Sequence, residues 1–325
     1  MRTRRSLISL RVALVASFAV AMLLEPASAG ATLPGPVGRI AFDTFTDFQI
    51  YAVNPDGTGL VQLSHVDGKH YARFPDWTPD GTHVLFSVGW FDNRNERLWI
   101  ANADGTHAHQ LTGDAPGFRD SGPHMTPDGR FIVFNRCEPG DGVCAIWRVR
   151  SDGSHKRPLT PFQHQPNEAV DFVSSISGDG RRIAFTRYAG DGILSRIFVM
   201  RIDGSDLHPI TAPRLAACNP DWAPDGASLL FISRCSGLGS DVFAAGADGR
   251  HVRQLTHDPY PNGAYFGAPS PDGDQVAFSD DRRYDDFCCS DLFVMNADGS
   301  HQHRIPLGDV VGVNSVSWGS APLLP

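Results

Sequence analysis

The apolar run of this sequence, Val12 to Leu24, holds 13 residues. A helix that crosses a bilayer needs roughly 20, so the run is too short to span one comfortably. Positive charge is also short. The formal net charge of the 325 residues is −8, the wrong sign for a phosphate-backbone ligand, so no nucleic-acid partner is expected. Lysine is nearly missing: Lys69 and Lys156 are the only two, arginine supplies the other basic groups, and no function attaches to this bias. No His-Glu-x-x-His occurs, which excludes a zinc protease of that type. No Gly-x-Ser-x-Gly elbow, Walker loop or Cys-x-x-Cys metal pattern occurs either. Helix formers do not dominate.

Turn formers are what the chain has in quantity, with 33 glycines and 24 prolines. That many turns favours an all-β fold. The fullest phrase runs from Phe74 through Pro75-Asp76-Trp77-Thr78-Pro79-Asp80-Gly81 to Val84-Leu85-Phe86. Proline presets φ, aspartate bonds its own backbone and glycine accepts positive φ, so Pro-Asp-Gly is a hairpin turn. The β-branched and aromatic residues after it suit a buried strand. The phrase returns at Asp128, Asp179, Asp225 and Asp272, at spacings of 48, 51, 46 and 47. A second hairpin phrase alternates with it, around Asp56-Gly57, Asp104-Gly105, Asp152-Gly153, Asp203-Gly204, Asp248-Gly249 and Asp298-Gly299. Those turns are spaced 48, 48, 51, 45 and 50.

Each period therefore holds two hairpins, or four strands. A four-stranded antiparallel unit repeated at this interval is the signature of a β-propeller. Five units are complete. The chain starts with the strand that elsewhere follows Pro-Asp-Gly, Arg39 to Phe42. It ends with the strand that precedes it, Ser315 to Ser320, with Trp318 in the register of Trp77 and Trp222. The expected fold is an all-β, six-bladed β-propeller of four-stranded antiparallel blades, its ring closed by pairing the N- and C-terminal strands. Such closure removes the open sheet edge.

The Pro-Asp-Trp-x-Pro-Asp-Gly and Asn-Ala-Asp-Gly…Gln-Leu-Thr phrases resemble the repeats of the TolB-type six-bladed propeller family. The resemblance covers residues 38–320. Only a short spacer stands where TolB carries an N-terminal domain. The resemblance implies a non-enzymatic interaction module. The Gly-His…Trp-Asp signature of WD-type propellers is absent.

Residues 1–29 read as a signal peptide. Arg2, Arg4 and Arg5 form a basic start, and Ala27-Ser28-Ala29 follows the apolar core as a small-residue cleavage site. Thr3-Arg4-Arg5-Ser6 also resembles a twin-arginine motif, so both export routes stay open, as does a retained anchor. No cysteine follows the core to carry a lipid. Cleavage near Ala29 removes a net charge of +3 and leaves −11. Residues 30–37 are a spacer, 38–320 the propeller and 321–325 a tail. The expected product is secreted, periplasmic or held at the envelope, without a membrane span, and monomeric.

Export permits disulfides, and the six cysteines allow fifteen pairings. Cys137 and Cys144 flank a hairpin loop. Cys218 and Cys235 flank the Pro224-Asp225-Gly226 turn, placing them nearly opposite on paired strands. Both pairs are expected to bond. Cys288 and Cys289 are adjacent, and a vicinal bridge, free thiols and an intermolecular bond all remain open.

Strand alternation sends the loops to two faces. The Pro-Asp-Gly and Asp-Gly turns share one. The other carries loops that differ from period to period, as a binding face requires. Trp90, Arg94, Arg119, Asp120, Arg187, Tyr188, Arg283 and Tyr284 lie there, and aromatic and arginine side chains suit partner contacts. Solvated loops with ordinary packing are the competing account. His124, in first-strand register on the channel side, is the one histidine kept as a site candidate, with a buried or hydrogen-bonded structural role as the leading account. His107, His155, His251 and His301 follow the Asp-Gly turns one period apart, too far apart to share a metal. The turns lack the alternating acids of a calcium loop. No metal, cofactor or catalytic residue is assigned. The leading expectation is an interaction module binding a protein or peptide at the envelope or outside the cell. The rival is a propeller enzyme, of polysaccharide lyase or hydrolase type, with its site at the channel mouth. A third is a purely structural envelope component.

Overall fold

The computed structural model describes residues 34–92, 95–113, 115–139, 142–163, 170–189, 194–235, 239–259, 261–284 and 289–324. Its architecture is all-β and propeller-like, built from four-stranded antiparallel ladders. Four ladders are separate sheets. The first combines Val313–Trp318, Ile40–Thr44, Ile50–Val53 and Val61–Gln62. Here the late strand pairs with the early one, Ile40 opposite Trp318 and Phe42 opposite Val316. An eight-stranded sheet holds the second ladder, His70–Trp77 to His109–Gln110, and the third, Arg119–Met125 to Arg157–Pro158. A single parallel bridge, Glu96 to Arg119, joins these two. The fourth runs from Val170–Ile176 to His208–Pro209, the fifth from Cys218–Trp222 to Arg253–Gln254, and the sixth from Ala264–Pro269 to His303–Arg304. The first strand of each ladder touches the first strands of the ladders before and after it. Val313–Trp318 touches both His70–Trp77 and Ala264–Pro269.

The repeat phrases explain the packing. One aromatic of the second strand faces one aromatic of the third in every ladder: Phe42 with Tyr51, Phe86 with Trp99, Phe134 with Trp147, Phe185 with Phe198, Phe231 with Phe243, and Phe278 with Phe293. The six second-strand phenylalanines of these pairs are all buried. Cross-strand aromatic pairs of this kind add to area burial. The threonine of Gln-Leu-Thr has a separate task. The Thr112, Thr160, Thr211 and Thr256 hydroxyls, and that of Ser64, each accept an N–H from the first half of a third strand, at 2.8 to 3.1 Å. The short outer strand is thereby latched to its neighbour where the ladder would otherwise leave a buried donor unpaired.

The first strands are bulged. Phe74, Gly122 and Asn219 occupy one repeat position and take φ of 58°, 59° and 49°. Their N–H groups leave the ladder and donate to the preceding ladder, to Asp43, Ser87 and Thr186. The bulge thus ties one ladder to the next.

The Asp-Gly turns are backbone devices. Asp56, Asp104, Asp152, Asp203 and Asp298 each accept the N–H two residues on. Hydroxyl and N–H donors there hold these carboxyls below their ordinary range. His107, His155, His251 and His301 follow at φ of 55° to 57°, in the left-handed region. Gly59 and Asp206 fill the same place in the other two turns. A turn requirement, not a ligand, accounts for the repetition. Among the described residues, no group of three His, Cys, Asp or Glu side chains is placed to hold a metal ion.

Candidate functional site

The loop side is held together by buried ion pairs. Asp120 is fully buried and accepts two bonds from Arg136, at 2.7 and 2.8 Å. Asp171 and Arg187 repeat the arrangement in the next ladder, at 2.6 and 2.7 Å. Burial pushes the Asp171 carboxyl up, and the Arg187 bonds oppose it. Arg187 also lies 4.7 Å from the Phe198 ring. Two residues expected as partner contacts are therefore engaged within the fold, Asp120 buried and Arg187 half-buried. Tyr188 is corrected more plainly: it is 7% exposed, packed edge-on against Phe172, and burial pushes its hydroxyl up. Its ring has no surface to offer. Arg119 is half-buried at the bridge to Glu96.

In the sixth ladder, buried Asp291 gathers Arg283 at 2.8 Å, the Tyr284 hydroxyl at 3.3 Å and Arg304 at 3.4 Å. Arg283 remains exposed and Tyr284 half-buried. Burial and then the Asp291 charge push the Tyr284 hydroxyl up. Arg136, Asp171 and Asp291 were not singled out from the sequence. The signal for Arg136 was there, because it stands in the repeat register of Arg187, as Asp120 does of Asp171.

The first strands carry a separate polar hoop. Ser317, Asp76, His124, Ser175, Asp221 and Ala268 share one repeat position and are all buried. The Ser317 hydroxyl donates to Asp76 at 3.2 Å, and that of Ser175 to Asp221 at 2.8 Å. His124 Nδ1 lies 3.4 Å from Asp76. Among the described residues, neither His124 ring nitrogen has a hydrogen-bond partner. The histidine is thus a buried channel-side residue in contact with one carboxylate.

Exposed aromatic surface gathers at one place on the loop side. Trp90 is 45% and Phe91 47% exposed. Phe91 packs edge-on against Phe48 at 4.8 Å and Tyr71 at 5.6 Å, and Trp90 against His70 at 4.3 Å. Arg73 lies 4.3 Å from the Tyr71 ring and bonds Glu96. Three loops build this platform, and main-chain bonds stitch them. Ala72 donates to Phe48 at 2.9 Å, Phe91 to Lys69 at 3.2 Å, and Trp90 to Asn95 at 3.2 Å. Of the residues expected at the site, Trp90 alone is both exposed and aromatic. Phe48, His70, Tyr71 and Phe91 join it and were not anticipated. Arg94 lies outside the described residues, as does Cys288.

Both expected disulfides are present. Cys137 and Cys144 stand directly opposite across paired strands, with Cα atoms 4.0 Å apart. The Cys218–Cys235 pair has Cα atoms 6.0 Å apart. Its geometry differs from the expected one. Cys218 faces Ile232 in the ladder, and Cys235 lies beyond the strand, where its N–H donates to Ala216. Cys289 is a free thiol, half-buried. No helix among the described residues is long and apolar enough to cross a membrane.

No family model matches the chain. A stretch of 117 residues, 36% of this chain, is 34% identical to the Tol-Pal system protein TolB of Anaeromyxobacter dehalogenans. That match spans a quarter of the relative's length, 25%. The crystal structure of TolB from Acinetobacter baumannii superposes with a TM-score of 0.68 at 18% identity, covering 89% of this chain and 68% of that one. An oligogalacturonate lyase in complex with manganese superposes with a TM-score of 0.52 at 13% identity, covering 85% and 74%. These likenesses concern the fold, which an interaction protein and an enzyme share.

Proposed function

From a chain that is TolB-like in its repeats and fold, we propose an exported interaction module whose loop side binds a protein or peptide at the cell envelope. Six blades form the ring in this reading, the eight-stranded sheet counting as two. The terminal strands close it, supported by the Ile40–Trp318 pairing and by the cycle of contacts among first strands. Residues 1–29 act as the export leader, and the two disulfides fit an oxidising compartment.

The observation that carries the proposal is the Trp90–Phe91 platform. Large rings that stay exposed on stitched loops lose little conformational freedom on binding. Aromatic anchors of this kind dominate protein interfaces. Arg283 and Tyr284 lie on the same side and extend the candidate surface. The test is capture from the envelope fraction of the source cells, comparing the mature protein with a Trp90→Ala/Phe91→Ala variant. Proteins retained by the wild type and lost by the folded variant are the expected result. Identical capture by both would overturn the platform as the binding surface. A polysaccharide-cleaving propeller is the alternative. The neighbouring lyase fold favours it, and cleavage of polyuronate by the wild-type protein would establish it.

A further inference from the structure

The tight-turn side holds a feature that the repeats do not lead one to expect. Two repeat positions flank each ladder junction: the one at the start of a second strand and the one that closes the next ladder's first strand. At two junctions these are arginine and tryptophan. Arg39 lies 5.0 Å from the Trp77 ring and donates to the Ala103 carbonyl at 2.7 Å. Arg182 lies 4.4 Å from the Trp222 ring and donates to the Gly226 carbonyl at 2.8 Å. His83 and Met125, Phe131 and Ile176, and Gln275 and Trp318 take these places at three others. Between the fifth and sixth ladders the pair is Ser228 and Pro269. Ser228 is also paired with Gly246, where equivalent positions carry Asn102, Arg150, Arg201 and Asn296. Three small residues stand where large ones stand elsewhere. The result is a cavity of about 400 Å3 that all three line.

We propose that this cavity binds a planar organic cation, an amidinium or guanidinium group on a flat body, in the place that Arg39 and Arg182 fill at their own junctions. Its volume lies within the range of small-molecule sites. Leu229, Leu230 and Val276 give an apolar wall for the flat part. Gly273, which stands in the register of the Gly226 that accepts from Arg182, also lines it. Two carboxylates, Asp225 and Asp272, border the space. Each uses Oδ1 within its own turn. Against them stands one guanidinium, Arg253, and the neighbouring His251. Two acids against one permanent cation favour a cationic guest. A delocalised planar cation is also less strongly hydrated than an ammonium and suits a partly apolar slot.

Benzamidine is the probe, with neutral benzamide and anionic benzoate as isosteric controls, titrated by calorimetry at low ionic strength. Benzamidine is expected to bind and the two controls to bind at least about tenfold more weakly. Ser228→Arg should abolish binding by filling the slot from within. It should stay folded, because Arg39 and Arg182 hold the same register. Gly246→Asn, the residue found at Asn102 and Asn296, is a second filling variant and should act alike. Asp272→Asn keeps an oxygen for the turn while removing charge, and should weaken benzamidine about tenfold. Preference for benzoate would mean that Arg253 governs the site and would overturn the proposal. So would the absence of benzamidine binding, or undiminished binding to the folded filling variants.

Discussion

Asp258, on the loop side of the fifth ladder, lies against Asp280 and shares Arg282 with it. Arg282 reaches Asp258 at 3.0 Å and Asp280 at 2.6 Å. Burial, then the Asp280 charge, push the Asp258 carboxyl up to about 7. In the unfolded chain it titrates near 3.8. A folded-state pKa above the unfolded value means that folding holds a proton. That contribution is complete below the unfolded value and is lost as pH rises through 7. Stability attributable to this carboxyl should therefore fall between about pH 5.5 and pH 8, by on the order of 1 kcal/mol after solvent screening. Urea denaturation at both pH values should show a smaller difference in Asp258→Asn than in the wild type. An unchanged difference would show that the proton sits elsewhere. The disulfides belong to the same scale. Removing either, as Cys137→Ala/Cys144→Ala or Cys218→Ala/Cys235→Ala, should cost about 2–3 kcal/mol. Denaturation with and without reductant measures this, and peptide mapping without reduction should recover both linked pairs.

At the scale of the element, the outer strands are only two residues long and depend on their latches. Thr160 supplies the acceptor for the buried Ile146 N–H at 2.9 Å. Replacing it by valine keeps the shape and removes the acceptor. The expected loss is about 1–3 kcal/mol, the cost of a buried donor left unpaired. Thermal melting of Thr160→Val checks it, and a change within error would mean that water or another group takes the bond. The pairing of Val313–Trp318 with Ile40–Thr44 allows a stronger test. Deleting residues 312–325 removes the first strand of the first ladder and exposes an edge. Loss of cooperative unfolding and aggregation are expected. A truncated chain that melts like the full one would refute ring closure by the termini.

For the molecule as a whole, the two sides divide the work differently from a simple split into binding loops and inert turns. On the loop side, Asp120, Arg136, Asp171 and Arg187 are spent on internal pairs, while the Trp90–Phe91 platform faces outward. On the turn side, the positions equivalent to Ser228 and Pro269 carry larger side chains in the other ladders, and a cavity is left between the fifth and sixth. Partner capture should therefore fail for Trp90→Ala/Phe91→Ala. It should survive alanine at His107, His155 and His301, whose places are set by turn geometry. Capture lost only in the histidine variant would reverse this assignment of the faces.

Strand order and register could be read from the chain because they follow from local chemistry repeated many times. Pro-Asp-Gly and Asp-Gly fix the turns, period-two aromatics such as Phe185 and Phe198 fix the facing pairs, and a regular interval fixes the unit. The Cys137–Cys144 bond was legible for the same reason, since one hairpin places both thiols. What a side chain does at the loop side was not legible. Arg187 and Tyr188 are neighbours of types that suit a binding face, yet one is bound to Asp171 and the other is buried. Nothing local distinguishes them from Trp90. That choice depends on which ladder packs alongside and on whether a partner of opposite charge stands in the facing register. The cavity beside Ser228 arises in the same way. Serine, glycine and proline are unremarked residues along the chain, and only packing two ladders together brings three small ones to a single junction.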